Sequence, residues 1–236
     1  MTRLSRWLAK SDRFWDRVLG RPASPRPRRI AVEQLEDRVV PDGRPLPVIA
    51  VGPEPGGRPF ARMFRADTGA TLLNLAPFGD AFPGGVRVAV GDLTRDGTPD
   101  LITAAGPGGG PHVRVFDGKT GAQLSGPVGS FFAYDPAFAG GVQVAAGDVT
   151  GDGYADIATA ADSGGGPHVR VFDGRTGAVV ANFFAFEPEV RGGVRLAARD
   201  FTGDGKAELV LAAGAGGAPR VRVLDPVTLA PIPGPL

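Results

Sequence analysis

The sequence predicts an all-β fold in which a four-stranded unit repeats about four times, the arrangement of a β-propeller. Three observations carry this. Pro59, Pro111, Pro167 and Pro219 recur at spacings of 52, 56 and 52 residues. Nearly the same phrase follows each: "PFARMFRADTGA", "PHVRVFDGKTGA", "PHVRVFDGRTGA" and "PRVRVLDPVTLA". Second, the pairs Gly84-Gly85, Gly140-Gly141 and Gly192-Gly193 lead into "VRVAVGD", "VQVAAGD" and "VRLAARD". Third, one acidic pattern returns at the same phase: "DLTRDGTPD" (92–100), "DVTGDGYAD" (148–156) and "DFTGDGKAE" (200–208). A period of about 50 residues is the range of propeller blades.

Each unit reads as four short strands. Strand A, Val86–Gly91 in the second copy, alternates larger aliphatics with polar or small residues. The acidic loop follows. Strand B, "LITAAG" (101–106), is apolar throughout, as expected of a strand buried on both faces. A Gly-rich hairpin ("GPGGG", "DSGGG", "GAGGA") leads into strand C, "HVRVFD" (112–117). A "DGKTG" turn then opens strand D, which ends in "FFAY" (131–134) or "FFAF" (183–186). Short strands punctuated by turn chemistry, with no helical period in 45–236, give four strands per blade. Small residues in strand A (Ala89, Ala145, Ala146, Ala197, Ala198) suit the crowded axis, and Phe78, Tyr134 and Phe186 suit the wider gaps between blades.

Composition narrows the function classes. The 236 residues carry a net charge of +1, which hides an asymmetry. Residues 1–44 hold 11 Lys+Arg against 6 Asp+Glu, and the remainder 15 against 19, so the body is mildly acidic and unlike a nucleic-acid binder. There is no cysteine, which excludes disulfides and thiolate metal sites. No apolar run approaches the roughly 20 residues of a membrane span.

The acidic loops pose the chemical question. Ca²⁺ takes six to eight oxygens. A loop offering side chains at positions 1, 3, 5 and 9 and a carbonyl at 7 can wrap one ion, and Gly at 6 permits the bend. The side-chain donors are Asp92, Thr94, Asp96, Asp100; Asp148, Thr150, Asp152, Asp156; and Asp200, Thr202, Asp204, Glu208. The carbonyls belong to Thr98, Tyr154 and Lys206. All are hard oxygen donors, which disfavours Zn²⁺ and Cu²⁺. The competing reading is a turn in which Asp caps its own backbone. That accounts for positions 1 and 6 but gives no reason for acids at 5 and 9. Thr at position 3 removes one charge, so the expected sites are weak, on the order of 10⁻⁴–10⁻³ M.

These loops, their place between strands A and B, and the "GD-x-T-x-DG-x-x-D" wording resemble the FG-GAP/VCBS repeats of integrin-α-like β-propellers. The resemblance covers residues 80–236 well and 42–79 in part. It implies a calcium-stabilised propeller that binds ligands outside the cytoplasm. In that family the ring usually closes with about seven blades, more than this chain offers. The copies divide as 42–83 (partial), 84–139, 140–191 and 192–236. In the first, strands B (Pro47–Gly52), C (Phe60–Arg65) and D (Leu72–Phe78) remain. Its loop survives as "PDG" at 41–43, around Asp42, and only "IAVEQLED" (30–37) can stand in for strand A. The last copy ends in the proline-rich "APIPGPL".

Residues 1–41 read as a basic leader and linker. Trp7, Leu8, Phe14, Trp15, Val18 and Leu19 can line one face of a short helix, or the segment is a disordered leader; "RPASPRPRR" (21–29) is a linker. "VEQLEDRVVPD" (32–42) resembles the motif near the N-termini of planctomycete-type exported and surface proteins. His112 and His168 open strand C in two copies and read as hairpin-end packing. Arg62, Arg114, Arg170 and Arg222 recur mid-strand and are expected to pair with acids of adjacent strands. No nucleophile–base arrangement and no phosphate loop is present. The expectation is a secreted or cell-surface, non-enzymatic Ca²⁺-binding module for a protein or carbohydrate ligand. The alternatives are a propeller scaffold of a polysaccharide-acting enzyme and an inactive fragment of a larger surface protein. With both terminal blades ragged, closure within one chain is not expected, and self-association through those blades is.

Overall fold

A computed structural model describes residues 30–36, as backbone, and residues 47–232. The helix-or-leader segment, the linker, Asp42 in the remnant loop and the last residues of the stub lie outside the described residues. The fold is all-β, and among the described residues there is no helix.

The chain lays down four antiparallel sheets in sequence. The first holds β1 (Ile30–Glu36), β2 (Val48–Pro53), β3 (Ala61–Arg65) and β4 (Thr71–Leu75), in that order. The second holds β5 (Val86–Gly91), β6 (Asp100–Ala105), β7 (His112–Phe116) and β8 (Ser130–Phe132). The third holds β9 (Val142–Gly147), β10 (Asp156–Ala161), β11 (His168–Phe172) and β12 (Val179–Phe184). The fourth stops at three strands, β13 (Val194–Arg199), β14 (Glu208–Ala213) and β15 (Val221–Leu224). These are propeller blades, four among the described residues.

Both ends answer the sequence. The first blade takes its A strand from Ile30–Glu36, inside the segment expected to be leader, with a register shift between Glu33 and Leu35. Without it the inner edge of β2 would leave a ladder of N–H and C=O groups unpaired. In the fourth blade strand D is, among the described residues, one bridge, Leu224 with Pro231, where proline has no N–H to give a ladder.

The core sits between blades, not within them. Val48, Ala50 and Met63 of the first blade meet Val86, Val88 and Leu101 of the second. Ala89, Ile102, Val113 and Val115 of the second meet Val142, Val144 and Ile157 of the third. Ala145, Ala158, Val169 and Val171 of the third meet Leu209, Leu211 and Leu224 of the fourth. Tyr134 and Phe186 pack into the last two of these clusters and Phe78 into the first, the positions expected of them. The Gly-Gly pairs allow this closeness. At Gly141 φ is +87°, and a Cβ would lie 2.8 Å from the Gly106 carbonyl carbon and from the Pro107 nitrogen of the previous blade.

The mid-strand arginines have a different task from the one expected. They clasp the preceding blade's main chain. Arg170 Nη1 donates to the Ala133 carbonyl at 2.7 Å, Arg222 Nη1 to the Ala185 carbonyl at 2.7 Å, and Arg114 to the Pro77 carbonyl. A carbonyl at the end of strand D needs a donor, and the planar fork of Arg reaches it across the gap. Arg62 meets no preceding blade among the described residues, and its Nε donates to Asn74.

Candidate metal centre

Each acidic loop joins the innermost strand of its blade to the next, so successive loops lie side by side. They are also hydrogen-bonded to one another. The Ala155 N–H donates to the Asp92 carbonyl at 3.1 Å, and the Ala207 N–H to the Asp148 carbonyl at 2.7 Å. Arg95 lies over the Tyr154 ring, 5.5 Å from its centre.

Within the first two loops every acid has a structural task. At position 1, Asp92 accepts the N–H groups of Asp96 and Gly97, and Asp148 those of Gly151, Asp152 and Gly153. At position 5, Asp96 accepts the Thr98 N–H at 2.9 Å and pairs with Lys119 at 2.9 Å. Asp152 likewise accepts the Tyr154 N–H and lies 3.4 Å from Arg175 Nε. At position 9, Asp100 accepts from Leu93 and Thr94 through one oxygen and from Gly118 of the C–D turn through the other. Asp156 repeats this with Val149, Thr150 and Gly174. Capping therefore accounts for acids at 5 and 9 as well, which the sequence alone did not suggest. Burial pushes the Asp100 carboxyl up to about 6, against the pull of its N–H donors from Gly118 and Leu93. Asp156 is raised in the same direction, again by burial.

The third loop differs. Glu208 accepts from the Phe201 N–H at 2.7 Å and the Thr202 hydroxyl at 2.9 Å. It makes no bond to the C–D turn, since the residue in the place of Gly118 and Gly174 is Pro226, which has no N–H. Its carboxylate instead stands with those of Asp200 and Asp204, one oxygen of each within 4.8 Å of the others. Among the described residues this is the one acidic cluster so gathered. Asp200 still caps Gly203 and Gly205, and Asp204 caps Lys206.

Two features test whether a cation fits. The cluster Asp200–Asp204–Glu208 brings three hard, anionic oxygens within 4.8 Å of one another, with no ion pair to a cationic side chain among the described residues. In the middle loop the Thr150 hydroxyl, a position-3 donor, is buried with no hydrogen-bond partner. Its counterparts are satisfied, Thr94 by Asp92 and Thr202 by Glu208. A buried hydroxyl left unpaired costs about 1–3 kcal/mol, which a cation at that point would offset. The donor set fits Ca²⁺.

Two further groupings were not legible in the repeat. Asp162 stands where the other copies have Gly52, Gly106 and Gly214, and it is 2 % exposed. It gathers Gln143 Nε2 at 2.7 Å, Arg195 Nη1 at 2.9 Å and Arg87 Nη2 at 3.4 Å, which joins three blades near the axis. The sequence signal was the break in symmetry itself, an acid where the pattern calls for glycine. On the outer side, His168 lies between the rings of Tyr134 and Phe184, and His112 between Phe78 and Phe132. The histidines are packing elements, as expected. An open cleft of about 470 Å³ adjoins His168, Arg170, Phe184, Asp135 and Arg191.

The four-bladed arc with an acidic loop between the inner strands of three blades defines a repeat-type β-propeller protein. The repeat has a family. The FG-GAP-like repeat matches residues 92–159 and the FG-GAP repeat matches residues 140–181, so the stretch 92–181 carries FG-GAP-type repeats. No curated protein matches the sequence. Among solved structures it is similar to the exotype rhamnogalacturonan lyase YesX (TM-score 0.48, 16 % identity, 87 % of this chain against 41 % of that one). It is similar to the rhamnogalacturonan lyase YesW (TM-score 0.48, 14 % identity, 84 % against 44 %). It also matches the V. cholerae biofilm matrix protein Bap1 (TM-score 0.37, 18 % identity, 85 % against 38 %). The chain spans less than half the length of each. No helix among the described residues is long and apolar enough to cross a membrane.

Proposed function

We propose that this protein is an extracytoplasmic, non-enzymatic repeat module that Ca²⁺ stabilises and that binds a protein or carbohydrate ligand. The observation that carries the calcium reading is the convergence of Asp200, Asp204 and Glu208, one oxygen of each within 4.8 Å of the others. Those three residues, with Thr202, hold the ion in the last loop. Thr150, Asp148 and Asp152 hold it in the middle one. The ion supplies charge neutralisation and cross-linking of the loop; the loop bonds Asp92–Ala155 and Asp148–Ala207 pass that rigidity from blade to blade. The non-enzymatic reading is supported by how the polar groups of the outer cleft are used. The Tyr134 hydroxyl donates to the His168 carbonyl, and His168 Nε2 is bonded to Asn182. A polymer-acting enzyme scaffold is the second reading, favoured by the same cleft because Asp135, Arg170 and Arg191 all line it.

The test is a thermal melt in about 10 mM CaCl₂, in MgCl₂ and in chelator. With sites near 10⁻⁴–10⁻³ M, mass action stabilises the fold by about 1.4–2.7 kcal/mol for each occupied site, which for a chain of this size raises Tm by roughly 3–10 °C per site. Identical melts in all three solutions would refute the calcium reading. Thr150→Val sharpens it. In chelator the variant is as stable as the parent or more so, because an unpaired hydroxyl is gone, while its Ca²⁺-induced shift is smaller.

A further inference from the structure

Three times in this chain the same two surfaces meet. The trailing face of one blade, made of alternate residues of strands A, B and C, is covered by the leading face of the next. In the third blade the trailing residues Ala145, Ala158, Ala160, Val169 and Val171 are all at most 1 % exposed beneath the fourth. In the second, Ala89, Ile102, Ala104, Val113 and Val115 are fully buried beneath the third. The register carries this pattern unchanged into the fourth blade, where the same positions are Ala197, Val210, Ala212, Val221 and Val223. They are as apolar as their counterparts, yet Val221 is 53 % exposed, Ala197 is exposed and the other three are half-buried. The packing of inner strands runs β2 on β5, β5 on β9 and β9 on β13; no comparable packing joins β13–β15 to β1–β4 among the described residues.

The other end of the arc carries the matching half. The leading face of an internal blade buries Thr103, Ala105 and Phe116, or Thr159, Ala161 and Phe172. In the first blade those positions are Ile49, Val51 and Phe64, more apolar than their counterparts, and all three are half-exposed. Arg62, at the position from which Arg114, Arg170 and Arg222 clasp a preceding blade, is exposed and turned to Asn74. Among the described residues the arc thus presents one trailing face and one leading face that no other blade covers, the two surfaces that mate at each of its internal joints. A heterologous contact of this kind closes a ring when the rotation per unit allows it. Propellers close with four to eight blades, and twice four is eight.

We propose that two copies of this chain join head to tail. The trailing face around Val210 and Ala197 of each seats on the leading face around Val51 and Ile49 of the other, and the pair completes one eight-bladed ring. Both joints are then equivalent under a two-fold axis, and neither apolar face remains in water. A second copy fits better than an unrelated protein because the internal joints show which shape and chemistry these faces accept.

Sedimentation velocity of the full chain from about 1 to 50 μM tests this. The expected particle is two chains, each of 24.3 kDa. Val210→Arg and, separately, Val51→Arg place a charge in the joint. Each is expected to weaken association about 100-fold or more while the far-UV spectrum of the dilute protein is unchanged. As a second measurement on the unmodified chain, hydrogen-exchange protection of β2 and β14 rises with concentration. A monomer at 50 μM would overturn the proposal and show that a segment of the same chain covers the faces or that the arc stands alone. Polymers that lengthen with concentration would also overturn it, in favour of an open helix, and so would a dimer indifferent to both charges.

Discussion

Replacing Asp162 by Asn removes the charge on which three blades converge. In the parent its two oxygens accept Gln143 Nε2 at 2.7 Å, Arg195 Nη1 at 2.9 Å, the Ser163 N–H at 2.9 Å and Arg87 Nη2 at 3.4 Å. Removing one partner of a buried ion pair costs about 3–5 kcal/mol because the other charge stays buried. Arg87, 8 % exposed, is the charge left behind. It retains Glu54 at 3.3 Å, and the Arg195 side chain is 48 % exposed and reaches water. Those two facts set the expectation at the low end, about 3 kcal/mol. The assay is urea unfolding at pH 7, where an m-value near 2 kcal/mol/M turns this into a midpoint loss of about 1.5 M. The pH dependence supplies an independent check. Burial raises the Asp162 carboxyl, but Arg195, Gln143 and Arg87 together outweigh it and hold it below the ordinary range. A depressed folded-state pKa contributes stability above the unfolded value, near 3.9, and loses it as pH falls through the folded value. The gap between parent and variant is therefore constant above about pH 5 and narrows below pH 4. A loss under about 1 kcal/mol, or a gap that widens in acid, would refute the assignment of Asp162 as the tie between blades.

Other outcomes follow from the same geometry. Gly141→Ala puts a Cβ 2.8 Å from two backbone atoms of the previous blade at a positive φ, so a loss of about 3 kcal/mol or more is expected in a chemical melt. Arg170→Met cuts the clasp on the Ala133 carbonyl while keeping the stem's packing; about 1–3 kcal/mol is expected, with hydrogen exchange quickening at the end of strand D in the second blade. Asp204→Asn lowers the number of Ca²⁺ bound, read by titration calorimetry, without moving the melt in chelator, because its one internal bond, to the Lys206 N–H, survives the change.

Four blades, their strands and the place of the acidic loops are written in the sequence by local chemistry. Glycine pairs, turn residues and the two-residue alternation act over distances of a few residues, and a repeat states them several times. Val86–Gly91 was read as strand A to the residue for this reason. The same locality explains what was not legible. That Asp96 and Asp152 each have a cationic side chain at hand depends on Lys119 and Arg175 of the C–D turn, brought beside them only by the sheet. That the last loop alone gathers its carboxylates turns on Pro226 lacking an N–H that Gly118 and Gly174 supply, a contact 18 residues away in both counterparts. Asp162 acquires its partners from blades 33 and 75 residues distant. The exposure of Val210 and Val221 has no local cause at all. Their residue types match those of buried neighbours, and only the stacking of blades decides that no further blade among the described residues lies against them. Residue type set what each blade can bury, and the count of blades in three dimensions set what remains uncovered.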